Sequence, residues 1–400
     1  MLSFSSATSA VPDTAKAATA ALEEALGGLD AGSVRAVMFH ATMGHDPKAA
    51  VRALRTRLPH VRVIGCSCAG VIGRDGANES MRAFALMAIA GPADELFLAQ
   101  ADGVYGHNSG AKAEEMARTI AGAGKPVQAL MLILPGIDVA MDDAVDGIER
   151  VFGPDVTVFG GTSSDNMKGI STWQVVDDTV YEHGGFLVGF ADPTLRIETQ
   201  ATHGFVPAGV ELEVTRATDN RVHELDGEPA WHAYTRALGL PETATPGDTI
   251  PPGAVGVALS PALAEEYGDS HLLRVITHRD ADGTLYMPVR CPVGTRLSLM
   301  RRDEDRIFRN LDVTMGQLIG RMGGAAPVAV FQTDCGARGR LMLDRVSKEE
   351  IVANMQRPLF GEACGPWIGM YGFGEITVLG GRNVFHNYTT SLYVFFRPTA

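Results

Sequence analysis

The chain has 400 residues, room for two or three domains of roughly 150 residues and a large core. Acidic residues (47) outnumber basic ones (34), giving a formal charge of −13 that argues against a general nucleic-acid binder. Hydrophobic residues at 46% with charged residues at 20% exclude disorder, and 46 glycines without a period of three exclude a collagen-like chain.

Met1 to Ala10 has neither a basic nor an apolar segment, so no secretory signal is expected there. No apolar run reaches ~18 residues, so no membrane insertion is expected either, and the reading is of a cytoplasmic protein. Residues 13–27 are rich in Ala, Glu and Leu and predict one amphipathic helix, leaving 1–29 as an N-terminal helix and tail.

A repeated unit follows. Ala36-Val-Met-Phe39 reads as a buried strand. Asp46-Pro47 supplies an N-cap with proline at the first helical position, and Ala50, Val51, Leu54 and Leu58 share the buried helix face. Val61 to Ile64 is a second strand that breaks into Gly65-Cys-Ser-Cys-Ala-Gly70, and Phe84 to Ala90 is a third. The order recurs about 93–95 residues on, with a strand at Ala129–Leu132 and a helix face of Ala144, Val145, Ile148 and Phe152. The next strand, Val156 to Phe159, breaks into Gly160-Gly-Thr-Ser-Ser-Asp165, and Phe186 to Ala191 closes the unit. Preserved order, helix phase and glycine corner point to a duplication.

Residues 196–325 read differently, with a turn at Asp219-Asn220, a helix after Glu228-Pro229 and a loop at 241–253. A third, diverged unit is expected at the end. It has a strand at Val328–Phe331 and a capping box from Ser347 to Glu350. A strand at Trp367–Tyr371 then breaks into Gly372-Phe-Gly-Glu375, and an alternating strand runs from His386 to Phe396. The predicted fold class is α/β, with duplicated strand-helix-strand-strand units forming mixed sheets flanked by helices. The seam between the halves falls near 195–205.

The strand-end corners are the candidate binding positions, because ligands of α/β sheets often sit beyond the carboxyl ends of strands. Gly65, Cys66, Ser67, Gly160, Gly161 and Asp165 form two such corners. Cys335, Arg338, Glu375 and Asn387 form a denser set. Arg338 would fix a carboxylate and Glu375 an amine, which suits an amino-acid-like zwitterion; the competing reading is an internal Arg338–Glu375 ion pair. Gly65-Cys-Ser67-Cys-Ala69 approaches a nucleophile elbow, with alanine in place of the second glycine, so a serine hydrolase using Ser67 is an alternative. Five scattered cysteines give neither a disulfide framework nor zinc-ligand spacing, so no metal ligand is assigned. No phosphate-binding glycine motif is present. His203 and His386 lie at strand-linked positions open to an axial haem ligand.

Five motifs in order carry a family likeness: Val63 to Gly70, Phe159 to Asp165, Glu224 to Ala230, Phe331 with Cys335 and Arg338, and Gly369 to Ile376 with His386 to Thr389. Together they resemble the FIST proteins, with FIST N and FIST C domains. The likeness covers about 30–395, and divides the chain into a FIST N-like domain at 30–200 and a FIST C-like domain at 201–400. It implies a sensory small-ligand-binding protein of signal transduction, with amino acids among the suggested ligands and output through a partner protein. Some stand-alone members are haem-binding nitric-oxide sensors acting on a histidine kinase, which makes haem the alternative cofactor here, with His203 or His386 as ligand. The family-pattern positions are Gly65, Cys66, Ser67, Gly160, Gly161, Asp165, Cys335, Arg338, Gly374, Glu375 and Asn387. Cys68 stands where the family commonly has threonine. No catalytic residue is assigned, no nucleic-acid partner is expected, and a homo-oligomer is compatible with the reading.

Overall fold

The computed structural model describes residues 1–251, 253–338 and 346–398, and of 346–349 the backbone only. Its first unit runs β1 (Ser3–Ser9), α1 (Thr14–Leu26), β2 (Val34–Thr42), α2 (Pro47–Arg57) and β3 (Arg62–Cys68), then a hairpin of β4 (Val71–Gly73) and β5 (Gly76–Asn78), then β6 (Phe84–Ala90). The second repeats that order with β7 (Leu96–Ala101), α3 (Ser109–Ala121), β8 (Ala129–Leu134), α4 (Met141–Phe152) and β9 (Thr157–Thr162), the hairpin β10 (Gln174–Val176) and β11 (Thr179–Tyr181), and β12 (Gly185–Phe190).

The third starts at β13 (Arg196–Thr202) and is interrupted by an inserted lobe. The lobe holds β14 (Phe205–Thr218), β15 (Arg221–Leu225), β16 (Glu228–Pro229), α5 (Ala230–Leu238), α6 (Pro246–Thr249), β17 (Ala254–Ala258), α7 (Pro261–Tyr267), β18 (His271–Arg274), β19 (His278–Arg279), β20 (Leu285–Tyr286) and β21 (Arg296–Arg302). The unit resumes with α8 (Glu304–Arg321) and β22 (Pro327–Cys335). A π-helical segment, Val346–Gln356, and a last helical turn, Arg357–Phe360, follow. Then come β23 (Trp367–Gly372), the hairpin β24 (Gly374–Leu379) and β25 (Arg382–His386), and β26 (Thr390–Phe396).

Each unit pairs its two central strands in parallel, β2 with β3, β8 with β9 and β22 with β23. The hairpins leave home. That of the second unit extends the first unit's sheet beside β3. That of the third extends the second's beside β9, and that of the first extends the third's beside β23. Three six-stranded sheets are thus closed in a cycle, and no unit is complete by itself. Their inner faces share one core, to which the units contribute Phe4, then Phe159 and Phe190, then Phe331, Tyr393 and Phe395. Phe159–Tyr393 and Phe190–Phe395 ring centroids lie 4.9 Å apart, a spacing at which aromatic pairs add to area burial.

Local chemistry matches the sequence in most elements. Asp46 caps α2 by accepting from the Lys48 N–H, with Pro47 in the first turn, and Ala50, Val51 and Leu54 are buried. Ala144, Val145 and Ile148 are buried on α4. Three expectations change. Ser3–Ser9, expected as a tail, pairs antiparallel with β6, and α1 packs its alanine face on the same sheet. The Gly374-Glu375 stretch is strand, because β24 pairs with β9. His386 ends β25, and a turn with Tyr388 at φ +60° separates it from β26. The capping box expected at Ser347 lies outside the described side chains. No helix among the described residues is long and apolar enough to cross a membrane.

Candidate functional site

Gly65, Gly160 and Gly369 occupy the same rung in the three parallel pairs, opposite Phe39, Leu132 and Gln332. A Cβ there would meet the partner's carbonyl oxygen at 2.6, 2.3 and 2.9 Å. These glycines let the central strands approach one another; a Cβ on Gly161 would likewise meet the Gly374 carbonyl of the incoming hairpin at 2.0 Å. The glycine corners are therefore packed between strands and offer no backbone to a ligand.

The first corner is sealed. Ser67 is fully buried; its Oγ accepts from the Trp173 N–H at 3.0 Å, and its own N–H donates to the Trp173 carbonyl at 2.9 Å. No histidine faces that hydroxyl among its hydrogen-bond partners, so the elbow resemblance does not extend to a dyad. The Cys66 Sγ lies 3.2 Å from His40 Nδ1 and 3.4 Å from Met370 Sδ, and burial pushes its thiol well up. Among the described residues no three His, Cys, Asp or Glu side chains are grouped to hold a metal ion.

The dense C-terminal set divides. Arg338 is buried with Asp334, 3.3 Å from its Nε, and with Glu350, and it donates to the Thr202 carbonyl at 3.1 Å. Among the described residues its charged partners are these two carboxylates and not Glu375, so the competing Arg338–Glu375 ion pair is not formed. Glu375 Oε2 instead accepts from the Thr389 hydroxyl at 2.7 Å, while Oε1 has no hydrogen-bond partner among the described residues. Burial drives the Glu375 and Asp334 carboxyls well above the usual range. Asn387 ties β25 to the lobe: its Oδ1 accepts from the Val275 N–H at 3.1 Å and its amide donates to the Phe373 carbonyl at 2.8 Å.

The two histidines named as alternative haem ligands are both fully buried. His203 donates from Nε2 to the His271 carbonyl (2.8 Å) and accepts at Nδ1 from the Phe205 N–H (3.1 Å). His386 Nδ1 bonds Thr389 Oγ1 at 2.7 Å; its Nε2 is unpartnered among the described residues, and the ring is fully buried. Burial holds both imidazoles down at about 3, hence neutral.

An open site does exist at the strand ends. A cleft of about 380 Å³ lies where the second and third units meet under the lobe. Gly136 and Ile137 enter it from the end of β8, Met167 to Gly169 from beyond β9, Cys335 and Ala337 from β22, and Phe373 from β23. The lobe adds Thr245 to Gly247, Ile250 and Val275 to His278. Cys335 is the one expected site residue in this lining; its thiol is pushed well up by burial and stays protonated. Asp165 acts one step back. Its carboxylate accepts from the N–H groups of Lys168 (2.8 Å), Gly169 (3.1 Å) and Ile170 (2.8 Å), which shapes the loop that carries Lys168. Applying the strand-end rule to β8 itself would have found Gly136; the Val275–His278 segment carries no local signal. Another cavity, of about 390 Å³, lies at the far end of β24, where Arg321 is already paired with Glu198 at 2.7 Å.

The FIST N domain matches residues 35–228 and the FIST C domain residues 230–377. The chain belongs to the FIST family. FIST domains are, as a class, sensory small-ligand-binding domains of signal transduction. Uncharacterised mycobacterial proteins are similar. One from Mycobacterium bovis is 26% identical over 248 residues, 60% of this chain and 61% of that protein, so the match spans about three fifths of that relative's length. One from Mycobacterium tuberculosis is 23% identical over 398 residues, covering 97% of this chain and 98% of its own. Among solved structures, a cyanuric acid hydrolase from A. caulinodans aligns over 100% of both chains at 9% identity and a TM-score of 0.38, a likeness too weak to bear on this FIST protein's chemistry.

Proposed function

We propose that this FIST protein is a sensor that binds a small metabolite in the cleft between its second and third units and reports through a partner protein. The cleft itself supports the reading. It lies at the carboxyl ends of two parallel strand pairs, it is about 380 Å³, and its walls come from two units and the lobe. A ligand held there touches two units and the lobe. Signalling requires that it favour one arrangement of them over another, and the lobe, joined to the body only between β13 and α8, is the part whose position it would bias. Haem plays no part in this proposal: both ring nitrogens of His203 are hydrogen-bonded, and the ring of His386 is fully buried.

A metabolite screen by thermal shift tests it. A ligand at 100 times its Kd stabilises the folded form by about 2.7 kcal/mol and raises the melting temperature. Val275→Trp fills the cleft and is expected to abolish that rise while the unliganded melting temperature changes little. A ligand that still raises the melting temperature of Val275→Trp binds elsewhere, and the proposal fails.

A further inference from the structure

We infer that the cleft is built for a monoanion with an apolar body, a carboxylate or similar oxyanion on a branched or aromatic skeleton. The inference rests on the cleft being the ligand site and concerns what that site selects.

The walls are apolar. Ile137, Met167, Ile250, Val275 and Phe373 face the cavity, and a ligand's apolar skeleton would gain roughly 25 cal/mol for each Å² removed from water there. The charges are unequal. Among the described residues, Lys168 is the one Lys or Arg in the lining, and it makes no ion pair with any of them. Among the described residues, no Asp or Glu lines the cleft. His278 does, and the carboxylate near it, Asp280 at 3.7 Å, stands outside the lining. Cys335 is held as a neutral thiol by burial, and Thr245 and Thr277 offer neutral hydroxyls.

An ammonium group in this cleft would find no counter-charge among the described residues, while an oxyanion would find Lys168. An uncharged skeleton would leave Lys168 solvated at the rim and gain nothing from it. Lys168 is also placed by the backbone. Asp165 holds three successive N–H groups of the loop, and Met167 takes the left-handed region at φ +69° to bring the chain round. An amino-acid zwitterion, which the Arg338 and Glu375 pair suggested from the sequence, therefore fits this cleft less well than the same skeleton without its amine.

Titration calorimetry on the full chain with one skeleton in four charge states decides the matter: 3-phenylpropionate, its primary amide, 3-phenylpropylamine and phenylalanine. The propionate is expected to bind at least tenfold more tightly than the amide, with the amine and phenylalanine weaker still. Lys168→Gln should weaken the propionate about tenfold and leave the amide unchanged, whereas Lys168→Arg keeps the preference, since it keeps a charged hydrogen-bond donor. Equal binding of propionate and amide, tighter binding of phenylalanine, or indifference to Lys168→Gln would each overturn the inference with the cleft still occupied. Binding of none of the four overturns it too; the cleft is then judged separately by the Val275→Trp screen.

Discussion

The corner after β3 and the junction of the second and third units share one geometry and have opposite properties. At the first, Ser67 and Trp173 exchange two hydrogen bonds, and Ser164 accepts from the Ala69 N–H at 2.8 Å, so every polar group is spent on holding units together. At the second, strand ends carrying Gly136, Cys335 and Phe373 stop short of the lobe and leave a cleft. The repeat alone therefore does not make a site. The inserted lobe does, by standing over one of three equivalent corners. Substitutions at sealed corners should cost stability, and substitutions in the cleft should cost binding.

The largest effect is expected at Gly160. Its φ is +108°, and a Cβ would sit 2.3 Å from the backbone oxygen of Leu132, which has no room to retreat inside a sheet. Gly160→Ala should cost about 4 kcal/mol or more, enough to prevent accumulation of folded protein at 37 °C. Gly103 is the control. It is left-handed at φ +65° with nothing within 4 Å of its Cβ, and Gly103→Ala should cost only about 1–2 kcal/mol by urea unfolding. Similar costs at both positions would mean that the central strands can separate, and the sealed-corner account would be wrong.

Arg338→Met comes next. It strands Asp334 and Glu350 in the core without their cation, a change that typically costs about 3–5 kcal/mol. Urea unfolding should show that loss, and calorimetry on the folded fraction should show the cleft's preference intact. A variant of wild-type stability that loses ligand would return Arg338 to the binding site.

The two corners also explain what the sequence could and could not show. The duplication was legible because strands buried on both faces appear as apolar runs, and because Gly65 and Gly160 must both be glycine for the same steric reason. The third unit was legible through Trp367–Tyr371 and the alternation of Leu392, Val394 and Phe396; Trp367 and Tyr371 are buried in one cluster with these three. The exchange of hairpins was not. Val175 pairs with Gly65 across 110 positions, and three-residue strands carry no mark of which sheet they join. The site failed for a related reason. Arg338 and Glu375 look like a clamp as residue types, but their partners, Glu350 and Thr389, are set by packing. Lys168, three residues from the expected Asp165, was passed over because a lone lysine in a Gly-containing loop has no spacing to distinguish it from any solvated lysine.

A pH-dependent comparison of two substitutions separates buried from solvated charge most cleanly. Glu375 makes no ion pair with any Lys or Arg among the described residues; His386, with Nδ1 at 3.8 Å, is held neutral by burial, and Arg338 acts on Glu375 only as a minor influence behind the burial. Burial raises the Glu375 carboxyl well above its ordinary value, so the folded protein keeps the proton that the unfolded chain gives up near pH ~4.3. The stability from this group is then full below the unfolded value and is lost as the pH climbs toward the folded one. Glu375→Gln keeps a neutral side chain that can still accept from Thr389. Its unfolding free energy should match that of the unsubstituted protein near pH 4 and exceed it increasingly toward pH 8, at about 1.4 kcal/mol for each unit of displacement. Lys168→Gln removes a charge of the other sign from a solvated rim, and its stability difference should stay within about 0.5 kcal/mol and flat over the same range. A flat profile for Glu375→Gln would mean that the folded protein holds Glu375 ionised, which demands a counter-charge close to Oε1; the sealed region would then contain a charged site of its own, and the division between sealed corner and open cleft would no longer hold.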